Sequence, residues 1–595
     1  MREFSTPPTY TVPDTGNLTD DVVRNARDRG DTVVLSRRVE GEWQDVTATE
    51  FLAEVTAAAK GLVASGVGPG DRVALISRTR YEWTLLDYAI WFAGAITVPI
   101  YETSSPEQIR WILEDSETSL AIVESATHQE RVDVSRSELP ELRTVLCLDD
   151  GDLDKLVAAG AGVADDEIET RRTSLGPASV ATVIYTSGTT GPPKGCMLTH
   201  GNLMFELGVA TDLLPELFED EGSSTLLFLP LAHVFARIIQ IGCIKMATRM
   251  GHSADVTNLV EDLGTFGPTF ILAVPRVFER VFNSASQKAV ADGRGRIFNQ
   301  AASVAVSYSQ AQDRSGPGPI LRLRHALFDR LVYSKLRAAL GGQTAYAISG
   351  GAPLGDRLAH FFRGIGVTVL EGYGLTETTA ALTVNLPAAI KIGTVGKPLP
   401  GTSVRVADDG ELLFKGGQVF PGYWHNDAAT AASLDEDGWI HTGDVGEVDD
   451  EGFVRITGRK KEILVTAGGK NVAPAVLEDR IRAHVLVSQA MVVGEGKPFV
   501  GALVTLDAES LEVWKERHGK SGALTSLVSD ADLLAEIQGA VDEANAAVSK
   551  AEAVRKFSVL AVDWTEETGE LTPTLKLKRS LVMRRFYNEV ESLYL

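Results

Sequence analysis

Cysteine and basic charge are both scarce in this sequence. Only three cysteines, Cys147, Cys196 and Cys243, occur among its 595 residues, too few and too scattered for a disulfide framework or a thiolate metal site. Asp and Glu outnumber Lys and Arg by 80 to 57, which gives a net charge of −23 with histidine neutral. Since a nucleic-acid-binding protein needs a basic face, we expect no nucleic acid partner. A locally basic site for a small anion is still compatible with this charge.

Long hydrophobic runs are also missing. The longest uncharged apolar run lies between Asp87 and Glu102 and contains Pro99, which is short of the ~20 apolar residues that span a bilayer. Residues 1–8 lack the apolar core of a signal peptide. Hydrophobic residues make up 44% of the chain and charged residues 23%, as in globular proteins. We therefore expect a cytoplasmic protein with no transmembrane segment and, at most, a peripheral contact with a membrane surface.

Helical and strand patterns alternate from the N-terminus to about residue 400. Thr47 and Glu50 form a capping box before a stretch with helical spacing, and residues 73–76 form a short apolar segment after it. The same apolar pattern returns at residues 142–148, 180–185, 225–229, 269–274 and 367–370. This alternation predicts an α/β fold with layered, largely parallel sheets. The acidic, Gly/Ala-rich residues 149–178 are interpreted as a surface connection.

The remaining pattern divides the chain into two predicted domains. Residues 276–340 carry apolar residues at helical spacing and are interpreted as a helical insertion. From about residue 404 the pattern changes to β-hairpins around Asp409-Gly410 and an acidic turn near residue 450, a barrel-like part of the larger unit. We expect a large N-terminal domain over residues 1–458 and a small, mobile α+β lid domain over residues 459–595.

A loop rich in hydroxyl groups and glycine follows the predicted strand at residues 180–185. Residues 185–195 read Tyr-Thr-Ser-Gly-Thr-Thr-Gly-Pro-Pro-Lys-Gly. Glycines let backbone N–H groups converge on an anion, and the hydroxyls and Lys194 add donors and charge. Pro193 precedes the lysine and Gly195 follows it, so this is not the Walker pattern of P-loop NTPases. The sequence predicts a phosphate-binding loop; a plain surface loop is the competing interpretation.

This loop closely resembles the signature loop of the adenylate-forming (AMP-binding) superfamily. Further resemblances follow in the family's order along nearly the whole chain. They are the segment 229–233 with His233, the Ser-Gly-Gly-Ala-Pro-Leu turn at 349–354, the Glu-Gly-Tyr-Gly-Leu-Thr-Glu string at 371–377, the Thr-Gly-Asp of residues 442–444, and Gly458-Arg459. Each segment alone would fit an ordinary turn or a core position. Several in the correct order identify the chain as a member of the superfamily.

The resemblance implies a role for each matched residue. Catalytic roles fall to Lys576, His233, Glu377 and Thr186, and Glu377 is the implied Mg²⁺ contact. Binding of ATP and AMP falls to Thr186, Ser187, Gly188, Thr189, Thr190, Gly191, Lys194, Gly350, Gly351, Ala352, Gly372, Tyr373, Gly374, Thr376, Asp444, Arg459 and Lys576. In this family the tyrosine stacks on adenine and the Asp and Arg hold the ribose hydroxyls. Lys461 is the implied hinge.

Two residue assignments in the C-terminal part of the chain, the catalytic lysine and the CoA-channel loop, each have an alternative interpretation. The family places a catalytic lysine in the stretch 571–579, commonly after glycine, whereas this sequence has Leu575 there. The lysine is therefore Lys576 or Lys578, and we prefer Lys576. The segment 465–474 resembles the loop that lines the CoA channel, which implies that role for Gly468, Gly469 and Lys470. A plain hairpin turn is the competing interpretation.

The resemblance is closest to the long-chain-fatty-acid–CoA ligases. It rests on residues 275–280, the helical insertion after them, and the run 460–471. It implies ATP-dependent formation of an acyl adenylate and pyrophosphate, then transfer of the acyl group to CoA, with Mg²⁺ as cofactor. We expect residues 225–274 and 367–370 to wall the acyl slot. The alternatives are a fatty-acyl-AMP ligase that loads a carrier protein, and a non-catalytic nucleotide- or lipid-binding relative.

Overall fold

The computed structural model describes residues 2–186, 192–219, 222–255, 257–572 and 576–595. Its strands are β1 (Glu3–Ser5), β2 (Val33–Val39), β3 (Glu42–Thr47), β4 (Arg72–Ile76), β5 (Ile96–Ile100), β6 (Thr118–Val123), β7 (Thr144–Cys147), β8 (Val180–Thr186), β9 (Lys194–Thr199), β10 (Ser224–Leu227), β11 (Arg249–His252), β12 (Phe270–Ala273), β13 (Tyr346–Ser349), β14 (Thr368–Tyr373), β15 (Thr383–Val384), β16 (Lys397–Pro398), β17 (Ser403–Val406), β18 (Glu411–Lys415), β19 (Gly422–Tyr423), β20 (Ile440–Val448), β21 (Val454–Arg459), β22 (Leu464–Val465), β23 (Asn471–Val472), β24 (Val487–Val493), β25 (Val500–Leu506) and β26 (Val554–Val559).

The helices follow the same numbering along the chain. They are α1 (Thr19–Asp28), α2 (Ala48–Ala64), α3 (Tyr81–Phe92), α4 (Pro106–Asp115), α5 (Ala126–Asp133), α6 (Asp152–Ala159), α7 (Asp165–Thr173), α8 (His200–Leu213), α9 (Pro215–Phe218), α10 (Val234–Met246), α11 (Leu259–Phe266), α12 (Pro275–Ala291), α13 (Gly295–Gln312), α14 (Pro319–Phe328), α15 (Ser334–Ala339), α16 (Asp356–Gly364), α17 (Asp427–Ser433), α18 (Pro474–Arg482), α19 (Ala508–His518), α20 (Leu524–Leu527), α21 (Ala531–Asn545), α22 (Arg579–Arg585) and α23 (Tyr587–Ser592).

Two large sheets, each with a parallel centre, form the body of the N-terminal part. Among the described residues, one sheet has the order β19-β9-β8-β5-β4-β6-β7 and the other β16-β15-β14-β13-β12-β10-β11-β2-β3. Strands β8, β5, β4, β6 and β7 run parallel, as do β14, β13, β12, β10, β11 and β2. Antiparallel strands lie only at the edges of these described sheets. The α/β fold class predicted from the alternating pattern is confirmed.

A buried ion pair joins the helices between the two sheets. Arg237 on α10 and Asp87 on α3 are 1% and 0% exposed, and the Nε of Arg237 lies 2.9 Å from the Oδ2 of Asp87. Arg237 also donates to the Thr182 hydroxyl on β8 at 2.6 Å, and the Thr97 hydroxyl on β5 donates to Asp87 at 2.8 Å. A buried charge pair with further hydrogen bonds fixes one packing geometry, because losing either partner leaves an uncompensated charge.

The helical and hairpin predictions hold, and one interpretation was wrong. The Thr47–Glu50 capping box begins α2, α12 to α15 form the helical insertion, and β17/β18 and β20/β21 form the two hairpins. Residues 149–178 are not a plain surface connection, since they contain α6 and α7. Leu156 and Ile168 are buried on these helices, so each short helix has an apolar anchor that its acidic composition obscured.

The chain leaves the sheet β1-β17-β18-β20-β21 at Arg459 and enters a smaller α+β unit. That unit is built on the sheet β24-β25-β26, with α18, α19 and α21 packed on one apolar core and α22 and α23 on another. Within the described part of the chain, no helix combines the length and the hydrophobicity that a bilayer crossing requires.

Candidate active site

A cavity of about 3800 Å³ separates the large sheets from the small C-terminal unit. Most of the predicted site residues line it, although they come from every part of the chain. They are Thr186, Lys194, His233, Gly350, Gly351, Ala352, Gly372, Tyr373, Gly374, Thr376, Glu377, Asp444, Arg459, Lys461 and Lys576. The predicted loop residues Ser187, Gly188, Thr189, Thr190 and Gly191 lie outside the described residues.

The two ends of the predicted phosphate loop are fixed by the sheet. Thr186 ends β8 and pairs with Lys194, which begins the antiparallel strand β9. The Trp424 backbone N–H donates to the carbonyl of Gly195 at 2.7 Å, and the Trp111 indole donates to the carbonyl of Pro193 at 2.9 Å. The hydroxyl of Thr186 and the ammonium of Lys194 therefore belong to a firmly held strand pair at the cavity wall.

Glu377 faces a tyrosine that the sequence reasoning missed. The Tyr423 hydroxyl donates to the Oε1 of Glu377 at 2.7 Å, and the Nζ of Lys194 lies 5.1 Å from the centre of the Tyr423 ring. Burial raises the pKa of Tyr423, and the Glu377 carboxylate raises it further, so the hydroxyl stays protonated and remains a donor. Tyr423 thus links the acid to the lysine of the phosphate loop.

Tyr373 and Arg459 both contact Asp444. The Tyr373 hydroxyl donates to the Oδ2 of Asp444 at 2.6 Å, and the Nε of Arg459 lies 3.0 Å from Oδ1. Asp444 on β20 is also the ladder partner of Arg459 on β21. The three residues join the end of β14 to the last strand before the small unit, so the predicted ribose site is built on the junction between the two units.

Two glycines let the chain turn beside Tyr373. A Cβ added to Gly374 would overlap the backbone carbonyl of Ala380, whereas one added to Gly372 would lie 3.1 Å from the carbonyl oxygen of Thr383. Gly350 is similarly restricted, since an added Cβ would lie 3.1 Å from the Phe235 ring. The backbone passes close to its neighbours here, and the strand end at Gly374 has no room for any side chain.

His233 is an uncharged imidazole in this arrangement. It precedes α10, and its backbone N–H donates to the Pro230 carbonyl at 3.0 Å. Burial lowers the pKa of His233 to about 3, and the charge of Lys576 lowers it too. A neutral ring can accept or donate a hydrogen bond without adding charge beside the lysine.

Lys576 reaches the same cavity from the far end of the chain. Burial lowers the pKa of Lys576, as does nearby Arg459, while Asp444 and Glu377 raise it. The Lys576 side chain has exposed surface, and that surface faces the cavity. Protein groups surround it on all sides of the cavity, which is why burial dominates its pKa. Lys578 is the N-cap residue of α22, and its backbone N–H donates to the Glu570 carbonyl at 2.8 Å. Lys578 also lines the cavity, but Lys576 is the lysine whose charge acts on His233 and lies near Asp444 and Glu377.

The predicted CoA-channel residues do not line the cavity in this arrangement. Gly468 and Gly469 form the tip of the hairpin β22–β23, where the Thr466 N–H donates to the Lys470 carbonyl at 3.0 Å. Lys470 pairs with Glu552 of the small unit at 3.4 Å. The segment is a hairpin turn, as the competing interpretation held, and its predicted role requires another position of the small unit.

The chain crosses between the units at a short exposed turn. Lys461 is exposed within the 3₁₀ turn Lys460–Glu462, while the Lys460 ammonium lies 3.1 Å from the Oε2 of Glu411. Lys461 is therefore the freer of the two lysines. On the other side of the cavity, the Gln287 amide of α12 donates to the Ser510 hydroxyl of α19 at 2.7 Å, and Arg276 lies 3.9 Å from Asp507.

One arm of the cavity is apolar and extends between the insertion helices. Its lining there includes Val281, Ala285, Phe298, Val306, Val332 and Leu336. Of the residues expected to wall the acyl slot, Phe228, Leu229 and Val274 line this cavity. Residues 367–370 lie in β14 and its approach and do not line it. Helices α12, α13 and α15 take their place.

Glu377 can take part in holding a divalent cation but cannot form a complete cage. Among the described residues, no group of three or more His, Cys, Asp or Glu side chains could hold a metal ion together. Tyr423 occupies one oxygen of Glu377 and leaves the other for a ligand. Mg²⁺ is usually bound by one or two carboxylates, with substrate phosphates and water completing the octahedron, so this single acid fits that mode.

Comparison with known proteins identifies the family. Residues 22–424 match the AMP-binding enzyme family, and residues 461–595 match the family of the AMP-binding enzyme C-terminal domain. The chain therefore belongs to the AMP-binding enzyme family and has the fold of adenylate-forming enzymes, with a large N-terminal and a smaller C-terminal unit.

Individual relatives narrow the likeness further. The chain is 52% identical over 599 residues to long-chain-fatty-acid–CoA ligase FadD15 of Mycobacterium bovis, with 100% of both chains covered. It is 30% identical to long-chain-fatty-acid–CoA ligase ACSBG2 of Xenopus laevis, covering 95% of this chain and 82% of that one. The structure of ATP-bound MatB from Rhodopseudomonas palustris matches with a TM-score of 0.72 at 22% identity, covering 97% of this chain and 99% of that one. This last likeness concerns the fold alone.

Gly372 on β14 and Gly374 directly after it provide a matched test of the site geometry. Gly374→Ala should move the backbone against Ala380 and lower stability by about 1–3 kcal/mol, as overpacking does. Gly372→Ala should be milder, since its nearest contact is 3.1 Å away. Thermal unfolding with and without AMP measures both effects. Equal losses of stability and of AMP-induced stabilisation in the two variants would contradict this geometry.

Proposed function

We propose that this chain is a long-chain-fatty-acid–CoA ligase. It would join a long-chain fatty acid to AMP, using ATP and releasing pyrophosphate, and then transfer the acyl group to CoA. The observation that carries the proposal is the meeting of Lys576 with Glu377, Asp444 and Arg459 in one cavity that also has an apolar arm. The full-length identity of 52% to a named long-chain-fatty-acid–CoA ligase supports the same conclusion.

The first step needs positive charge around the α-phosphate. A carboxylate oxygen attacks the α-phosphorus, the bond to the bridging oxygen breaks, and pyrophosphate leaves. Negative charge spreads over the phosphoryl oxygens, so positioned cations and hydrogen-bond donors lower the barrier. Lys576 and Lys194 are the cations proposed for this task, with the hydroxyls of Thr186, Ser187, Thr189 and Thr190 as donors. Mg²⁺, when bound to Glu377 and the phosphates, would neutralise part of the same charge.

The nucleoside part would be held by the junction between the units. Asp444 offers carboxylate oxygens to the ribose hydroxyls, and Tyr373 and Arg459 fix its orientation through their contacts with it. Gly350, Gly351, Ala352, Gly372, Gly374 and Thr376 line the neighbouring wall, where adenine is proposed to lie beside Tyr373. The neutral His233 adds a hydrogen-bonding group beside the reacting carboxyl without repelling Lys576.

The second step requires a different face of the small unit. The CoA thiolate attacks the acyl carbonyl, the bond from the acyl carbon to the phosphate oxygen breaks, and AMP leaves with that electron pair. No bond to phosphorus forms or breaks in this step. Lys576 is then not needed, whereas a narrow path for the pantetheine arm is. Rotation about Lys461 would remove Lys576 from the cavity and bring the hairpin with Gly468, Gly469 and Lys470 towards it, as in other hinged proteins.

The function is tested by separating the two half-reactions. Purified protein with ATP, Mg²⁺ and palmitate should release pyrophosphate, and added CoA should give palmitoyl-CoA and AMP. Transfer to a carrier protein in place of CoA would indicate a fatty-acyl-AMP ligase. Absence of pyrophosphate release with every chain length of fatty acid would contradict the proposal.

The lysine pair near the C-terminus tests the first step. Lys576→Ala should lower pyrophosphate release by about 10²–10³, as loss of one well-placed electrostatic contact does. It should still convert supplied palmitoyl-AMP and CoA to palmitoyl-CoA. Lys578→Ala is the matched control and should be much milder. If Lys578→Ala is inactive and Lys576→Ala turns over normally, the catalytic lysine is Lys578.

The hydrogen bond between Tyr423 and Glu377 tests the metal assignment. Glu377→Ala should lose adenylation by about 10² or more. Tyr423→Phe keeps the ring beside Lys194 but removes the donor to Glu377, and should raise the Mg²⁺ concentration for half-maximal pyrophosphate release about fivefold, or ~1 kcal/mol. Tyr594→Phe, in the small unit, is the control. Near wild-type turnover of Glu377→Ala at ordinary Mg²⁺ concentration would exclude the assignment.

A further inference from the structure

The insertion exposes a row of large apolar side chains on one helix face. The row consists of Ile320, Leu323 and Leu327 on α14 and Leu331 in the π-helix Asp329–Tyr333. Each of these side chains is 49% to 76% exposed. Their spacing of three and four residues places them along one side of the helix. Single exposed apolar residues are normal, but a contiguous row marks an interaction surface. We name these four residues the α14 face.

The opposite side of α14 is anchored to the protein. The His325 ring nitrogen lies 2.6 Å from the Gly364 carbonyl oxygen and the ring stacks on Tyr308 at 3.9 Å between centroids. Phe328 is buried in the core of the insertion. The helix is thus held in place by its inner side, and the α14 face points to solvent as a consequence of the packing.

The surroundings of the α14 face are basic in an otherwise acidic chain. Residues 275–340 contain eleven Lys and Arg against four Asp and Glu, a net charge of +7, whereas the whole chain carries −23. Arg322, Arg324 and Arg330 are exposed on the same segment, and helical spacing places Arg324 and Arg330 on either side of the apolar row. The acid within this stretch of helix, Asp329, already pairs with Arg337 at 2.7 Å. These three arginines are therefore available to an external anion.

The α14 face adjoins the mouth of the apolar arm. Leu331 and Ile297 line the cavity and are also solvent-exposed. Val332, Leu336 and Val306 line the same cavity. The α14 face therefore meets, at Leu331, the cavity that Lys576 also lines.

We propose that the α14 face docks on the surface of an anionic lipid bilayer and that long-chain acids enter the apolar arm from that bilayer. Leucines on one face and arginines beside them are the composition of helices that lie in the membrane interface. Anionic headgroups complement the local positive charge, and attraction to them offsets the repulsion expected from the rest of the chain. The entry of the acid rests on the proposed function, whereas the docking itself does not.

Vesicle flotation tests the docking without any catalysis. Wild-type protein should bind vesicles that contain phosphatidylglycerol and phosphatidylcholine, and bind pure phosphatidylcholine vesicles much less. Leu323→Glu combined with Leu327→Glu should lower binding to the anionic vesicles at least about tenfold, because the buried apolar area and the charge match are both lost. The double variant Val134→Glu, Val562→Glu changes equally exposed residues elsewhere (71% and 52%) and should bind as wild type.

Two further measurements separate the alternatives. Light scattering reports whether the α14 face instead holds a second copy of the chain: a dimer that the Leu323→Glu, Leu327→Glu variant dissolves, without vesicle binding, would overturn the proposal. So would wild-type protein that fails to bind anionic vesicles, or a variant that binds equally well. Palmitoyl-CoA formation from vesicle-embedded palmitate should fall in the variant, while that from dispersed octanoate should not. Vesicle binding by a protein without ligase activity would refute only the proposed function.

Discussion

Lys576 and the hairpin of Gly468 and Gly469 belong to the same small unit, and of these two parts Lys576 lines the cavity in this arrangement whereas the hairpin does not. That unit has apolar cores of its own, so its parts move together. A cavity that must serve two chemically different steps therefore has to exchange one part of the small unit for another. The proposed hinge, the proposed ribose site and the contacts between the two units are all explained by that exchange.

The interactions inside the large unit are stronger than those between the two units, as this exchange requires. Inside the large unit, Arg237 and Asp87 are fully buried and hydrogen-bonded to each other and to strands β8 and β5, which fixes the packing of helices α3 and α10 on that sheet. Between the units, Gln287–Ser510 is a neutral hydrogen bond and Arg276–Asp507 is a partly exposed pair at 3.9 Å. Such contacts contribute about 1 kcal/mol or less each, so the small unit can separate from the insertion without disturbing the sheets.

Local sequence pattern was sufficient to predict most of the helices and strands but insufficient to predict the contacts between them. The capping box of Thr47 and Glu50 and the strands of the large sheets were predictable because side-chain spacing alone specifies them. Helices α6 and α7 were missed because an acidic composition concealed Leu156 and Ile168. The hydrogen bond between Tyr423 and Glu377 joins residues 46 positions apart, and no periodicity encodes such a pairing. For the same reason the family likeness supplied Lys576, but only the fold shows which charges surround it.

The most direct test is to hold the small unit where it now lies. Gln287→Cys and Ser510→Cys place one thiol on each side of the contact between α12 and α19, and the native cysteines Cys147, Cys196 and Cys243 are buried. A short, cleavable thiol-specific cross-linker would then join the units, with each single variant as control. We expect the cross-linked enzyme to form palmitoyl-AMP with one burst of pyrophosphate but to make no palmitoyl-CoA until the cross-link is cleaved. Formation of palmitoyl-CoA by the cross-linked enzyme at the rate of the uncross-linked one would contradict the proposed movement of the small unit.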